Sequence, residues 1–193
     1  MAVLALIPLF LDFERKAGSG RELAIIAAMT ALSVAGRVIF SPVPGFKPVT
    51  AVVIISGMYL GREAGFAVGA LTAVISNFFF GQGPWTPFQM LIWGLIGLVS
   101  GIAAGPLRKS RLMLLIYGGL SGVAFSFVMD LWSVLWWEGG FSLSRYIAVA
   151  ATSLPFTAIY AASNIVFLLL LAKPAGIKLT RVCRKYGLFD YGI

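Results

Sequence analysis

The side chains that could do chemistry are few in this sequence, and their types exclude most enzyme classes. Its 193 residues contain no histidine and one cysteine, Cys183. Imidazole acid–base chemistry, histidine metal sites and an internal disulfide are therefore excluded. No phosphate-binding loop or nucleophile motif occurs either. The chemistry left to the chain is the recognition of a ligand by charged, amide and aromatic groups.

Asp130 and Arg37 are ionisable residues inside apolar stretches of the sequence. A charge at membrane depth is costly unless it is paired, so such residues are candidates for a functional site. We expect Arg37 to be the partner of Asp130. Two simpler interpretations stay open: Asp130 could only hold helices together, and the long side chain of Arg37 could reach the membrane interface.

A second group of polar residues suits an organic ligand better than a bare ion. Residues 77–89 combine amides, a hydroxyl and aromatic rings without a charge. Lys47 and Pro48 precede an apolar run, and a helix N-terminus beside a lysine favours an anionic group. Asn164 lies one helical turn from Tyr160 and could contact a ligand or bond to another helix.

The composition indicates that a membrane surrounds these residues. The chain is 60% hydrophobic and 11% charged, with 15 Lys and Arg against 7 Asp and Glu. The basic residues separate apolar runs instead of forming a patch, so we interpret the chain as a membrane protein and not a nucleic-acid binder. We predict an all-α integral membrane protein with six transmembrane helices, at residues 23–40, 48–60, 64–80, 88–104, 112–137 and 146–172.

The second of these runs is too short to cross a bilayer that needs about 20 apolar residues. Local thinning of the bilayer, or a cavity lined by the proline-rich segment 41–48, would compensate for its length. The chain is expected to divide into an N-terminal segment, a membrane domain and a basic cytoplasmic tail, at residues 1–21, 22–173 and 174–193. Residues 1–13 could be the end of a longer helix.

The basic residues also predict the orientation of the chain. With six spans both termini lie on one side, and 12 of the 15 lysines and arginines fall there. Arg37, Lys47 and Arg145 fall on the other side. Because basic residues accumulate on the cytoplasmic side, both termini are predicted to be cytoplasmic.

Small residues recur four positions apart in most of the runs. The first run has Ala27, Ala31 and Ala35, and later runs have series of glycines. Such faces let helices approach closely in lipid, where packing replaces the hydrophobic drive. Ordinary packing inside one bundle is the simpler interpretation of each face.

Four segments together resemble a known family: residues 35–37 (AGR), 46–50 (FKPVT), 65–70 (GFAVGA) and 76–90 (SNFFFGQGPWTPFQM). They resemble the substrate-binding S component of energy-coupling factor (ECF) vitamin transporters, which are ABC importers. The resemblance covers roughly residues 22–173, and segment 76–90 is its most specific part. Within the family, the chain looks most similar to cobalamin-type members.

The resemblance implies a subunit that binds a vitamin from the outer face of a bacterial or archaeal cytoplasmic membrane. It implies docking on a membrane coupling subunit, the T component, driven by two ATP-binding cassette ATPases, with no cofactor and no enzymatic activity in the chain itself. The family's AxxxA docking motif corresponds to Ala27, Ala31 and Ala35. The resemblance supports as candidate substrate-binding residues Arg37, Lys47, Asn77, Gln82, Trp85, Gln89, Asp130 and Asn164.

Two other functions stay open at this point. A solitary secondary carrier is disfavoured by the uncharged segment 77–89 and by the lack of an internal repeat. An integral-membrane transferase using Asp130 would need several acidic residues close together for Mg²⁺, and Glu138 is too distant in sequence to supply them.

Overall fold

The structure is a computed structural model that describes residues 20–189, and in that range all regular secondary structure is α-helical. Residues 1–13, which could be the end of a longer helix according to the sequence, lie outside the described range. The described helices are α1 (Gly20–Ile39), α2 (Val49–Leu60), α3 (Arg62–Phe80), α4 (Thr86–Ile102), α5 (Ala104–Lys109), α6 (Arg111–Glu138) and α7 (Leu143–Tyr186).

Each of the six predicted runs forms a helix, but lengths and number differ from the prediction. Four helices, α1, α3, α6 and α7, are long and apolar enough to cross a membrane, whereas α2 and α4 are shorter apolar helices. The predicted fourth run ends earlier, and α5 follows it as a separate short helix. The last helix has 44 residues and continues through Pro174. The prediction of an all-helical membrane protein is thus confirmed, without an exact count of six spans.

Helix α2 forms the centre of the bundle. Of its 12 residues, 11 are buried, and it packs against α1, α3, α4 and α7. It needs no polar face, because neighbouring helices surround it on every side. At about 1.5 Å per residue it is about 18 Å long, so one of its ends lies within the bundle. A cavity begins at this buried end.

Glycines allow the helices around α2 to come close together. A Cβ on Gly97 of α4 would lie 2.1 Å from the carbonyl oxygen of Gly65 in α3. A Cβ on Gly122 of α6 would lie 2.6 Å from the backbone nitrogen of Ala161 in α7. These two glycine faces therefore serve packing within the bundle, as their simpler interpretation predicted.

The C-terminal segment returns to the beginning of α1. Beyond α7, the side chains of Leu188 and Phe189 are buried. The backbone N–H of Phe189 donates to Glu22 Oε1 at 2.8 Å. The predicted boundary at residue 173 falls inside α7, so the described part of the tail continues the helix and packs on the bundle.

Candidate functional site

A cavity of about 160 Å³ lies between α1, α2, α4, α6 and α7, at the end of the bundle where α2 begins. Basic, amide and aromatic side chains meet at its wall, and none of the described carboxylates lines it. The lining consists of Arg37, Gly45, Lys47, Val49, Thr50, Gln89, Trp93, Gly122, Phe125, Met129, Tyr160 and Asn164. We call this space the central cavity.

Arg37 brings a buried positive charge to the central cavity. Its side chain is 8% exposed, although no described carboxylate is near enough for a salt bridge. The guanidinium donates to Ser76 Oγ and, at 2.9 Å, to Asn77 Oδ1. It also lies 4.8 Å from the centre of the Phe80 ring and 5.3 Å from that of Trp93. Neutral acceptors and ring faces hold this cation, so its charge stays available to a ligand.

Asn77 connects Arg37 to the beginning of α4. Its amide nitrogen donates to Thr86 Oγ1 at 2.8 Å and to Gln89 Oε1 at 2.9 Å. Thr86 in turn donates to Gln82 Oε1 at 3.0 Å. Each hydrogen bond in this series has a defined donor. The network therefore orients Gln89 at the cavity wall and fixes the side chain of Arg37.

An aromatic wall closes one side of the central cavity. The rings of Trp93 and Phe125 are nearly parallel, with centroids 5.0 Å apart and an interplanar angle of 16°. Tyr160 meets Phe125 edge to face at 5.4 Å. Within residues 20–189, the buried indole Nε1 of Trp93 has no hydrogen-bond partner, so its N–H is an unused donor on a residue of the cavity wall.

Lys47 and the N-terminus of α2 form the opposite part of the wall. The backbone N–H of Lys47 donates to Ser163 Oγ at 2.8 Å, and Ser163 Oγ donates to the Lys47 carbonyl at 3.0 Å. Burial, and then the positive charge of Arg37, lower the pKa of Lys47. Asn164 donates to the carbonyl of Gly118 at 3.0 Å. No side chain caps the beginning of α2, so its first N–H groups lie beside the cavity without such an acceptor.

The alanine series of α1 lies on the outside of the bundle. Ala27, Ala31 and Ala35 are all exposed, while Ile26, Thr30 and Ser33 face inward. Internal packing therefore does not account for this face, in contrast to the glycine faces.

A family model described as the S component of ECF-type riboflavin transporters matches residues 18–176, which is most of the chain. The chain belongs to the ECF S components. It is thus a multi-pass membrane protein and a transporter subunit, not an enzyme. No curated protein and no solved structure matches it. The match supports the family that the sequence resembles, but it does not support the cobalamin-type similarity within that family.

Four of the eight candidate substrate-binding residues of this S component line the central cavity, namely Arg37, Lys47, Gln89 and Asn164. Asn77 lies behind them and bonds to two of the four. Gln82 and Trp85 do not line the cavity. Gln82 donates to the carbonyl of Val74 at 2.8 Å, and Trp85 packs on Trp132.

The expected pairing of Asp130 with Arg37 is wrong. Asp130 is buried but accepts a hydrogen bond from Ser153 Oγ at 2.6 Å, between α6 and α7. Helix α1 packs on α2 and α3 and does not contact α6, so Arg37 finds its acceptors on α3 instead. Asp130 does not line the central cavity, and its role as a substrate ligand remains only a prediction.

The sequence did not single out Trp93, Phe125 or Met129, although all three line the central cavity. Trp93 follows Gln89 by four residues, so the two share one face of α4. Phe125 and Met129 are likewise four residues apart on α6. This periodicity was a signal that could have extended the candidate list from Gln89 to Trp93.

Proposed function

We propose that this S component captures riboflavin, or a close flavin relative, for an ECF importer. The observation that carries the proposal is the family match, whose description names riboflavin transport. The proposal takes the central cavity as the binding site. The aromatic part of its lining, which includes the nearly parallel rings of Trp93 and Phe125, favours a flat heterocycle as the ligand.

The polar groups of the lining suit the carbonyl oxygens and ring nitrogens of a flavin. Arg37, Lys47 and the free indole N–H of Trp93 are donors, and Gln89 and Asn164 have amides that can both donate and accept. A flavin presents several acceptors on one edge, which these donors could satisfy together. The remaining wall of aromatic and apolar side chains would cover the ring system.

The cavity volume bears on the alternative of a corrinoid. Ligand sites for drug-sized molecules measure about 300–1,000 Å³, and the central cavity measures about 160 Å³. It must widen for any vitamin, but far more for a corrinoid than for a three-ring flavin. We therefore favour riboflavin over cobalamin.

The test is a binding experiment on the detergent-purified chain. Riboflavin fluorescence should be quenched on addition of the protein, to a stoichiometry near one, and cobalamin should not compete. The variant Asn164→Leu removes an amide from the cavity wall and should weaken binding. The variant Ser144→Ala removes an exposed hydroxyl outside the cavity and should retain binding. Absence of quenching would refute the riboflavin assignment.

A small organic anion is the second candidate substrate. Of the side chains in residues 20–189, two cations, Arg37 and Lys47, and no carboxylate line the central cavity. This charge favours a carboxylate-bearing vitamin over a neutral one at equal shape. A thermal-shift screen that compares riboflavin with carboxylate vitamins separates the two, because only the true substrate should raise the unfolding temperature at low concentration.

The proposed uptake cycle needs the T component and two ATPases as partners. We propose that Ala27, Ala31 and Ala35 contact the T component, since small exposed residues permit close helix packing.

We further propose that both termini are cytoplasmic, which places the central cavity toward the outside. Labelling of single introduced cysteines from outside intact cells tests this orientation. A cysteine at Gly81 should react and one at Gly105 should not.

A further inference from the structure

A second groove lies at the opposite end of the bundle from the central cavity, between α2, α5, α6 and α7. Its volume is about 340 Å³. Its inner wall is apolar and includes Leu114, Leu115, Leu168 and Leu169. Its mouth carries four cations, Arg108, Lys109, Arg111 and Lys173. We call it the basic groove.

Among residues 20–189, no acidic side chain neutralises the charge at this mouth. The lining of the basic groove includes no carboxylate from the described part of the chain. The described carboxylates at this end of the bundle are engaged elsewhere, because Glu22 accepts from the Phe189 backbone and Glu63 from Arg62 at 2.9 Å. Within residues 20–189, no salt bridge involves Lys109, Arg111 or Lys173. Four cations close together repel one another, so an anion between them would stabilise the mouth.

Arg108 differs from the other three because it is fixed in position. Its guanidinium lies 5.6 Å from the centre of the Tyr59 ring, and its Nε donates to the carbonyl of Ala104 at 3.3 Å. Tyr59 is itself packed against the Cα of Gly176, where a Cβ would lie 2.4 Å from the phenol oxygen. The mouth therefore has one preorganised cation, and three exposed lysines and arginines around it.

The position of the groove selects the kind of anion. It opens beside α6 and α7, two helices long and apolar enough to cross a membrane, and Leu169 of α7 on its wall is exposed on the outside of the bundle. An apolar slot that ends in a cluster of cations matches an acyl chain attached to a phosphate. Basic pockets between transmembrane helices bind anionic lipid headgroups by this complementarity. We propose that the basic groove binds one anionic phospholipid, with its phosphate among the four cations and an acyl chain along the leucines.

Native mass spectrometry of the intact detergent-purified protein tests this proposal with phosphatidylglycerol and phosphatidylcholine of identical acyl chains. One phosphatidylglycerol should remain bound, and phosphatidylcholine should not. The variant Lys109→Gln/Arg111→Gln/Lys173→Gln should bind phosphatidylglycerol at least tenfold more weakly, because each cation near an anionic lipid contributes about fivefold. All three residues are exposed, so the variant should fold normally.

Two further variants separate a site from general electrostatics. Lys178→Gln/Arg181→Gln/Arg184→Gln removes the same charge from exposed positions further along α7, and should retain the lipid. Leu115→Trp fills the apolar slot while keeping every cation, and should lose it. Equal loss in both triple variants, or retention in Leu115→Trp, would overturn the proposal, as would equal binding of the two lipids.

Inorganic phosphate distinguishes a lipid site from a site for a free anion. At the same concentration as the lipid it should leave phosphatidylglycerol bound, because it lacks the acyl chain. Displacement by phosphate alone would overturn the lipid assignment. The outcome does not depend on the vitamin, since the triple groove variant should quench riboflavin fluorescence like the unmodified protein.

Discussion

Arg37 is the residue on which the central cavity depends most. It is buried, its charge is held by neutral groups, and it faces the space where a ligand would lie. Hydrogen bonds to a charged donor contribute about 1.5–3 kcal/mol. We expect Arg37→Met to weaken riboflavin binding by roughly ten- to a hundredfold, as measured by fluorescence quenching.

The matched control for Arg37 is Arg145→Gln. It removes one positive charge from an exposed position at the beginning of α7, outside the central cavity. Binding should be unchanged in this variant. Equal weakening in both variants would mean that net charge, and not the buried guanidinium, attracts the ligand.

Trp93 offers a test of a single hydrogen bond. Its indole Nε1 has no hydrogen-bond partner within residues 20–189, and its ring packs on Phe125. Trp93→Phe keeps an aromatic ring beside Phe125 but removes the donor together with part of the ring volume. We expect binding to weaken by at least roughly two- to tenfold, the range of one neutral hydrogen bond, and the unfolding temperature to fall because the smaller ring leaves a cavity. The control Trp132→Phe lies outside the cavity and should leave binding unchanged. A normal affinity in Trp93→Phe would show that the indole N–H does not bond to the ligand.

At the level of single residues, the sequence predicted the polar lining better than the aromatic lining. Arg37 and Lys47 could be found because a charge in an apolar chain is unusual. Trp93 and Phe125 could not be distinguished from the many other large apolar residues of a membrane protein. Asp130, like Arg37, is a charge inside an apolar stretch. The sequence does not show which helices are in contact, and in the structure the carboxylate of Asp130 on α6 accepts a hydrogen bond from Ser153 on α7.

Helix pairs in this bundle depend on glycine contacts, and α3 with α4 is the tightest example. A Cβ at Gly97 would lie 2.1 Å from a backbone oxygen, which cannot move away as a side chain would. We expect Gly97→Ala to separate the helices and to lower the free energy of unfolding by about 1–3 kcal/mol. The measurement is thermal unfolding of the purified protein without ligand.

Gly105→Ala in α5 is the control for Gly97→Ala. A Cβ there meets no atom within 4 Å, and alanine is the better helix former, so stability should be equal or higher. If both variants unfolded at the same temperature as the unmodified protein, the close contact of α3 and α4 would be refuted.

At the level of helices, the sequence located most of the boundaries within a few residues, because charges and prolines interrupt the apolar runs. It did not show how far α7 continues. The apolar run ends before Pro174, whereas the helix extends to Tyr186, with Gly176 packed on Tyr59 and, beyond the helix, the Phe189 N–H bonded to Glu22. Such contacts join distant parts of the chain and leave no local pattern to predict them.

On the scale of the whole molecule, the central cavity, the basic groove and the alanine face of α1 lie on separate parts of the bundle. The central cavity lies at one end, the basic groove lies at the other, and α1 exposes its alanine face along the side. An S component must hold its substrate and also contact a partner that supplies energy. If the alanine face serves the second task, it can be damaged without harm to the first.

Ala31→Trp tests this separation. Ala31 is exposed at the centre of the alanine series, and the inward side of α1 at this level is formed by Thr30 and Ser33 instead. A tryptophan there should hold a partner helix several ångströms away without disturbing the bundle. We expect riboflavin binding to be retained, while uptake in cells that contain the T component and ATPases falls to background.

The interpretation of Ala31→Trp rests on Leu120→Trp, which adds an indole to an exposed position on α6. That variant should take up riboflavin normally, because α6 carries no part of the alanine face. Loss of binding in Ala31→Trp would assign the alanines to the stability of the bundle. Retained uptake would place the T component on another face. Binding without uptake in Ala31→Trp alone would assign α1 to energy coupling, because substrate capture would then be intact and only the link to the ATPases would be lost.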